Sequence, residues 1–211
     1  DKVYSIYKTL YDLSTSQIGI NRGAVALNYG IACFYLERMD EAFNILMSAM
    51  KQEPESFNAN FYLGRTLFSK GVYDKALSCF RKAKLIEPEN VEVMEYIALS
   101  FVKMSKYREA LPFLKRVLDE KPDDKELLFY TAVSMTECGM GDKALKIFTH
   151  LRPNEIYGAQ SCLEAGKMHE RIKEYQLAVQ DYSIALKLEN VPEQTELQIR
   201  YRLAITYLAV N

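Results

Sequence analysis

Residues 71–88 read GVYDKALSCFRKAKLIEP. Ala76 lies inside this stretch, and alanine recurs at Ala42, Ala76, Ala110, Ala144 and Ala178. Each step is 34 residues, with no insertion between them. Small residues held at one period mark a stacked repeat, because each unit must present the same close-packing point to its neighbour. Gly71 interrupts the apolar periodicity on one side and Pro88 on the other, so the stretch spells one helix between two breaks.

Outward from it the chain divides into five units, 23–56, 57–90, 91–124, 125–158 and 159–192. Each unit reads as two helices, A and B, joined by a tight turn. In the second unit Phe57–Ser69 is helix A and Asp74–Ile86 is helix B, with Asp74 placed to cap it. Asp40, Asp142 and Arg108 share that column, and Pro54, Pro88 and Pro122 close the first three units. A second small column, Gly30, Gly64, Ala98, Ala132 and Gly166, runs through the A helices. The alanine column of helix B is read as its counterpart. Leu46, Phe80, Leu114, Phe148 and Tyr182 form a large apolar column. A helix pair patterned this way leaves apolar faces that only another pair can cover, so the units must stack.

The pattern resembles the tetratricopeptide repeat family. One unit shows Leu63-Gly64, then Ala76, Phe80, Ala83 and the closing Pro88. The resemblance covers residues 23–192 and implies an all-α, right-handed superhelical solenoid of about five tandem repeats. The bulky residue that the family places early in helix A is replaced here by Ala26, Asn60, Met94, Leu128 and Cys162. The fourth unit lacks its closing proline and carries Pro153 early. Residues 1–22 make a flanking amphipathic helix, with Val3, Ile6, Tyr7, Leu10 and Leu13 on one face, and a linker, Ser14–Gly23. Residues 193–211 make a last helix, a cap or a truncated sixth repeat, with Leu203-Ala204 in the helix A position.

Composition narrows the function. Apolar residues make up 49% of 211, enough for a continuous core. The net charge of −1 favours neither nucleic acid nor an anionic membrane. No apolar run approaches the ~18 residues of a membrane span. The chain opens on Asp1 rather than Met and has no secretory h-region, so it reads as a piece of a longer protein. Cys33, Cys79, Cys138 and Cys162 show no C-x-x-C spacing and read as buried thiols in a reducing, cytoplasmic setting, with a disulfide as the weaker alternative. His169 shares the column of Cys33, Leu67, Phe101 and Met135, so it reads as a packed histidine rather than a base or ligand. No phosphate loop, nucleophile elbow, metal spacing or cofactor motif is found, so the expectation is a non-enzyme with no metal and no cofactor.

What the resemblance implies is a groove along the A helices that takes a peptide or protein segment. On this chain the groove columns are Leu27, Ile31, Phe34 and Tyr35 in the first unit. Phe61, Tyr62, Arg65, Glu92, Glu95, Tyr96 and Leu99 follow, then Phe129, Tyr130 and Val133. Leu163, Glu164, Lys167, Glu170 and Arg171 complete them in the fifth unit. Tyr62, Tyr96 and Tyr130 stand one period apart. They serve either as a ladder along the groove or as packing between adjacent A helices, which are neighbouring columns of one helix. The Lys and Asn clamp of chaperone-binding members is missing, since Leu27, Ile31 and Tyr62 hold the early positions. The rim carboxylates Glu92, Glu95, Glu126 and Glu137 suit an amphipathic partner with some basic residues. Three function classes follow: a groove-binding adaptor, a structural subunit that self-associates or builds a larger assembly through its ends, including the terminal helices, and its convex face, or the non-catalytic arm of a larger enzyme.

Overall fold

The structure, a computed structural model, describes residues 2–14 and 21–210. Helix is the secondary structure of the described residues, and no strand occurs among them. In chain order the helices are α1 (Lys2–Ser14), α2 (Arg22–Tyr35), α3 (Met39–Gln52), α4 (Phe57–Ser69), α5 (Tyr73–Ile86) and α6 (Val91–Lys103). They continue with α7 (Tyr107–Glu120), α8 (Lys125–Glu137), α9 (Gly141–Leu151), α10 (Gly158–Arg171), α11 (Tyr175–Ala185) and α12 (Glu193–Val210). Arg22 and Gly23 already belong to α2, and residues 15–20 of the expected linker lie outside the described residues. The chain forms two compact units, Asp1–Lys106 and Tyr107–Asn211, so the division falls inside the third repeat.

The turn between helices A and B is the same each time. Glu37, Gly71, Ser105, Gly139 and Lys173 all have φ between 55° and 77° and stand 34 residues apart. After each, a backbone N–H reaches back five residues: Arg38 to the Cys33 carbonyl, Val72 to Leu67, Lys106 to Phe101, Met140 to Met135 and Glu174 to His169, at 2.8–2.9 Å. This left-handed closure satisfies the carbonyls that the end of helix A would otherwise leave open.

Capping differs from the sequence reading. Asp40, Asp74 and Asp142 sit inside the first turns of their B helices, where they favour the dipole. The N-cap positions themselves are Arg38, Val72 and Met140, none of which caps with its side chain. The A helices carry the side-chain caps instead. Ser56, Asn90 and Asp124 accept from Ala59, Val93 and Leu127 amides at 3.0–3.3 Å. In the fourth unit α9 stops at Leu151 ahead of Pro153, and Asn154 Oδ1 takes the amides of Ile156 and Tyr157.

The small columns also pack differently from expectation. A Cβ added at Gly30 would lie 2.6 Å from Leu46, at Gly64 2.6 Å from the Phe80 ring, and at Gly166 2.4 Å from the Tyr182 ring. The bare backbone of helix A thus seats the large residue of helix B, sixteen positions later, rather than the alanine column. Leu46, Phe80 and Tyr182 are fully buried in these seats, and the five alanines are fully buried too.

These distances predict the sign of one substitution. Gly64→Ala gains about 0.5–1 kcal/mol of helix propensity. It loses roughly 1–3 kcal/mol by overpacking against a ring that has nowhere to go. A chemical denaturation midpoint below that of the parent, with unchanged slope, is the expected outcome. An equal or higher midpoint would show that the seat has slack.

Candidate functional site

In the N-terminal unit, α2, α4 and α6 place their groove columns side by side. Phe34 and Tyr35 come from α2, Tyr62 and Arg65 from α4, and Glu92, Glu95, Tyr96 and Leu99 from α6. The Tyr35 and Tyr62 hydroxyls meet at 3.1 Å, and Tyr35 is 62% exposed. Tyr62 presents its ring edge-on to Phe34 and Phe61 at 5.9 and 5.6 Å. Burial, then its bond to Tyr35, pushes the Tyr62 hydroxyl up to about 12. The Arg65 guanidinium lies 4.8–5.5 Å from the rings of Phe34, Phe61, Tyr62 and Tyr96. Its nearest carboxylate oxygen belongs to Glu92, at 3.6 Å.

Tyr96 behaves otherwise. Its ring stacks on Phe80 at 5.1 Å and 19°, with Phe68 and Phe61 edge-on at 5.5 and 5.8 Å. It packs between adjacent helices rather than lining a surface. Phe61, Phe129 and Leu163 are buried in the core and offer no face to a ligand. Leu27, Ile31, Glu95, Leu99, Tyr130 and Val133 are half-buried, and Tyr130 sets its ring edge-on to Phe129 at 5.8 Å.

The C-terminal unit fills the same columns with charges, two of them hydrogen-bonded to carboxylates. Lys167 donates to Glu164 at 2.7 Å and Arg202 to Glu170 at 2.8 Å, while Arg171 stands 3.6 Å from Glu137, the separation of Arg65 and Glu92. His169 is buried, with Nδ1 2.7 Å from Asp181 Oδ2, and Asp181 also accepts from Arg152. This is a packed, hydrogen-bonded histidine, as its column implied. His150 is exposed. The four cysteines are free, and burial raises Cys33, Cys79 and Cys162 to about 11, which suppresses the nucleophilic thiolate. Among the described residues no group of three or more His, Cys, Asp or Glu side chains is placed to hold a metal ion. None of the described helices is long and apolar enough to cross a membrane.

Residues 27–117, under half the chain, match the family described as anaphase-promoting complex, cyclosome, subunit 3. Among solved structures the chain is similar to YrrB, whose description reads "a TPR protein with an unusual peptide-binding site". The TM-score is 0.75 at 18% identity, over 92% of this chain and 97% of that one. It is also similar to MamA from the MSR-1 strain, TM-score 0.71 at 22% identity, over 80% and 97%. MamA from Desulfovibrio magneticus RS-1 gives 0.71 at 17%, over 83% and 99%. No curated protein sequence matches the chain. The fold is that of the tetratricopeptide repeat.

One part of the site lies outside the tetratricopeptide pattern. α1 packs on α2, and the two enclose an apolar cleft of about 360 Å³ lined by Val3, Tyr4, Tyr7, Ile31 and Tyr35. A polar latch holds α1 there. Tyr4 donates to both Glu41 oxygens at 3.1 and 3.2 Å, Tyr29 donates to the same carboxylate, and Arg38 lies over the Tyr4 ring at 4.3 Å. The sequence reading named Val3 and Tyr7 on the first helix and Ile31 and Tyr35 in the groove columns without bringing them together, and it missed the latch residues Tyr4, Tyr29, Arg38 and Glu41. Burial works to raise the Glu41 carboxyl. The hydrogen bonds from Tyr29 and Tyr4 and the Arg38 charge outweigh burial and hold it below its ordinary value of 4.5.

A lowered folded value means that ionised Glu41 stabilises the docked helix above the unfolded carboxylate value and loses that effect as pH falls through the folded one. Tyr4 and Tyr29 ring resonances are therefore expected to hold their docked shifts from pH 7 down to 4.5 and to move below it. Glu41→Gln should remove that pH dependence. Unchanged rings down to global acid unfolding would contradict the latch.

Proposed function

We propose that the chain is a protein-interaction scaffold that holds a segment of another protein across α2, α4 and α6. The observation that carries this reading is the Tyr35–Tyr62 pair, which leaves amphipathic rings half in water beside a shielded guanidinium. Such rings give large contact area for little lost side-chain entropy. The described peptide-binding site of YrrB supports the class of ligand. The rim carboxylates Glu92, 53% exposed, and Glu95 favour an amphipathic segment with some basic residues. In this reading the chain carries no catalytic step and needs no cofactor, and its free thiols suit a reducing compartment such as the cytoplasm.

The test is selection of displayed random twelve-residue peptides on the immobilised chain. Selected peptides should lose at least about tenfold in affinity on Tyr62→Ala or Tyr35→Ala, the scale of an interface hot spot. Peptides indifferent to both substitutions would sink the reading.

A second reading, self-association through the terminal helices, is favoured by exposed apolar residues at both. Val3 and Ile6 are 59% and 58% exposed on α1, and Leu197, Tyr201 and Leu208 are 69%, 65% and 80% exposed on α12. Ala204, in the small-residue position of a helix A, is also exposed. Light scattering should show mass rising with concentration, and Leu208→Glu should weaken the rise. A monomer at every concentration, with no effect of the substitution, would remove this reading.

A further inference from the structure

Arg65 is held but not satisfied. A guanidinium carries five N–H donors. The side chain is 18% exposed, and its Nε is buried with no hydrogen-bond partner. Glu92, its carboxylate neighbour, stands at 3.6 Å, beyond hydrogen-bonding distance, and is half in water. Phe34, Phe61, Tyr62 and Tyr96 surround the guanidinium with rings, which attract the cation and strip water from it. The ring faces offer no lone pair to the buried Nε, although the Tyr96 hydroxyl stands close enough to the guanidinium to accept from it. In the C-terminal unit, by contrast, Lys167 and Arg202 each bond a carboxylate within 2.8 Å.

A largely desolvated, preorganised cation with an unmet donor gains most when an oxygen acceptor arrives. We propose that Arg65 is the specificity point of the α2–α4–α6 face. It receives the side-chain carboxylate of an aspartate or glutamate in the bound segment. Glu92, drawn off Arg65, then pairs with a basic residue of that segment. This rests on the groove reading above and names the partner chemistry.

Three features choose this occupant. The planar fork of a guanidinium matches a carboxylate bidentately. Glu92 stands beside the guanidinium, so a dianionic phosphate meets more repulsion than a monoanionic carboxylate. α4 packs against both α2 and α6, so a segment that touches Tyr35 on α2 and Leu99 on α6 crosses α4 rather than ending on it. The acceptor is therefore a side chain, not a chain terminus.

The experiment uses the peptides selected on the intact chain, displayed with their C-termini fused so that no free terminus is present. One position is expected to enrich aspartate or glutamate, with lysine or arginine at a fixed offset. Replacing that acid by its amide should weaken binding to the parent roughly tenfold to a hundredfold, the scale of a charge-assisted hydrogen bond. It should change nothing on Arg65→Met, and Arg65→Lys should recover only part. Melting curves of the variants separate lost folding from lost recognition, and equal affinity of acid and amide peptides for the parent alone overturns the proposal. Peptides that need Tyr62 but show neither acid preference nor dependence on Arg65 also overturn it, while leaving the groove reading standing. Tighter binding of a phosphoserine peptide than of its glutamate counterpart would reverse the assignment of the acceptor.

Discussion

The contact on which the rest depends is a large side chain resting on bare backbone. Leu46 on Gly30, Phe80 on Gly64 and Tyr182 on Gly166 each leave no room for a methyl group. The offset of sixteen residues is the length of one helical hairpin measured at its tightest point. It holds two helices closer than ordinary side chains allow, and it buries the large residue completely. A hairpin closed in this way has spent its inner faces. Its outer apolar columns, such as Phe61 and Phe129, remain to be covered by a neighbouring pair, which is why the units occur as an array.

The fold was legible because such constraints recur at one period. The alanine and glycine columns stand out in the sequence, since no residue larger than alanine fits them. The turn was only partly legible. Gly71 and Gly139 announce a left-handed residue, but Glu37, Ser105 and Lys173 take the same conformation without any signature. There the hydrogen bond back across the turn and the packing of both helices outweigh the local preference, which for one residue is only about 1–2 kcal/mol. The acid column of the B helices was misread as caps because an aspartate near a helix start suits both the cap and the first turn. Ser56, Asn90 and Asp124 stand at the same period and spelled the true caps.

The site was less legible than the fold, and Tyr62 and Tyr96 show why. They occupy one column, and each has a phenylalanine, Phe34 or Phe68, as its partner from the preceding A helix. They differ in the seated residue of the preceding B helix. Tyr96 finds Phe80 there and stacks on it. Before Tyr62 that residue is Leu46, which offers no ring, and Tyr62 turns its hydroxyl to Tyr35 instead. The period specifies where a side chain leaves the helix. Its fate is decided by a residue in another column of another helix, which periodicity alone does not weigh. Arg65 followed the same logic: its column was visible, but the four rings around it come from three different positions of the pattern.

Columns that the fold does not need are free to diverge, and the two units have diverged in opposite directions. Where the N-terminal unit has Ile31, Arg65 and Leu99, the C-terminal unit has Val133 and Lys167. Lys167 is neutralised one turn away by Glu164, and Glu170 is taken by Arg202 and Thr206. That face has met its own hydrogen-bonding demand and gains little from a ligand's charges. The N-terminal face has met its demand for burial, through rings, but not for acceptors. A surface that is already packed and still short of one oxygen discriminates strongly, because the wrong partner leaves a shielded cation unpaired. On the proposal made for Arg65, the difference between a structural face and a recognising face within one repeat fold comes down to how fully the cation in the column is bonded by its own carboxylates.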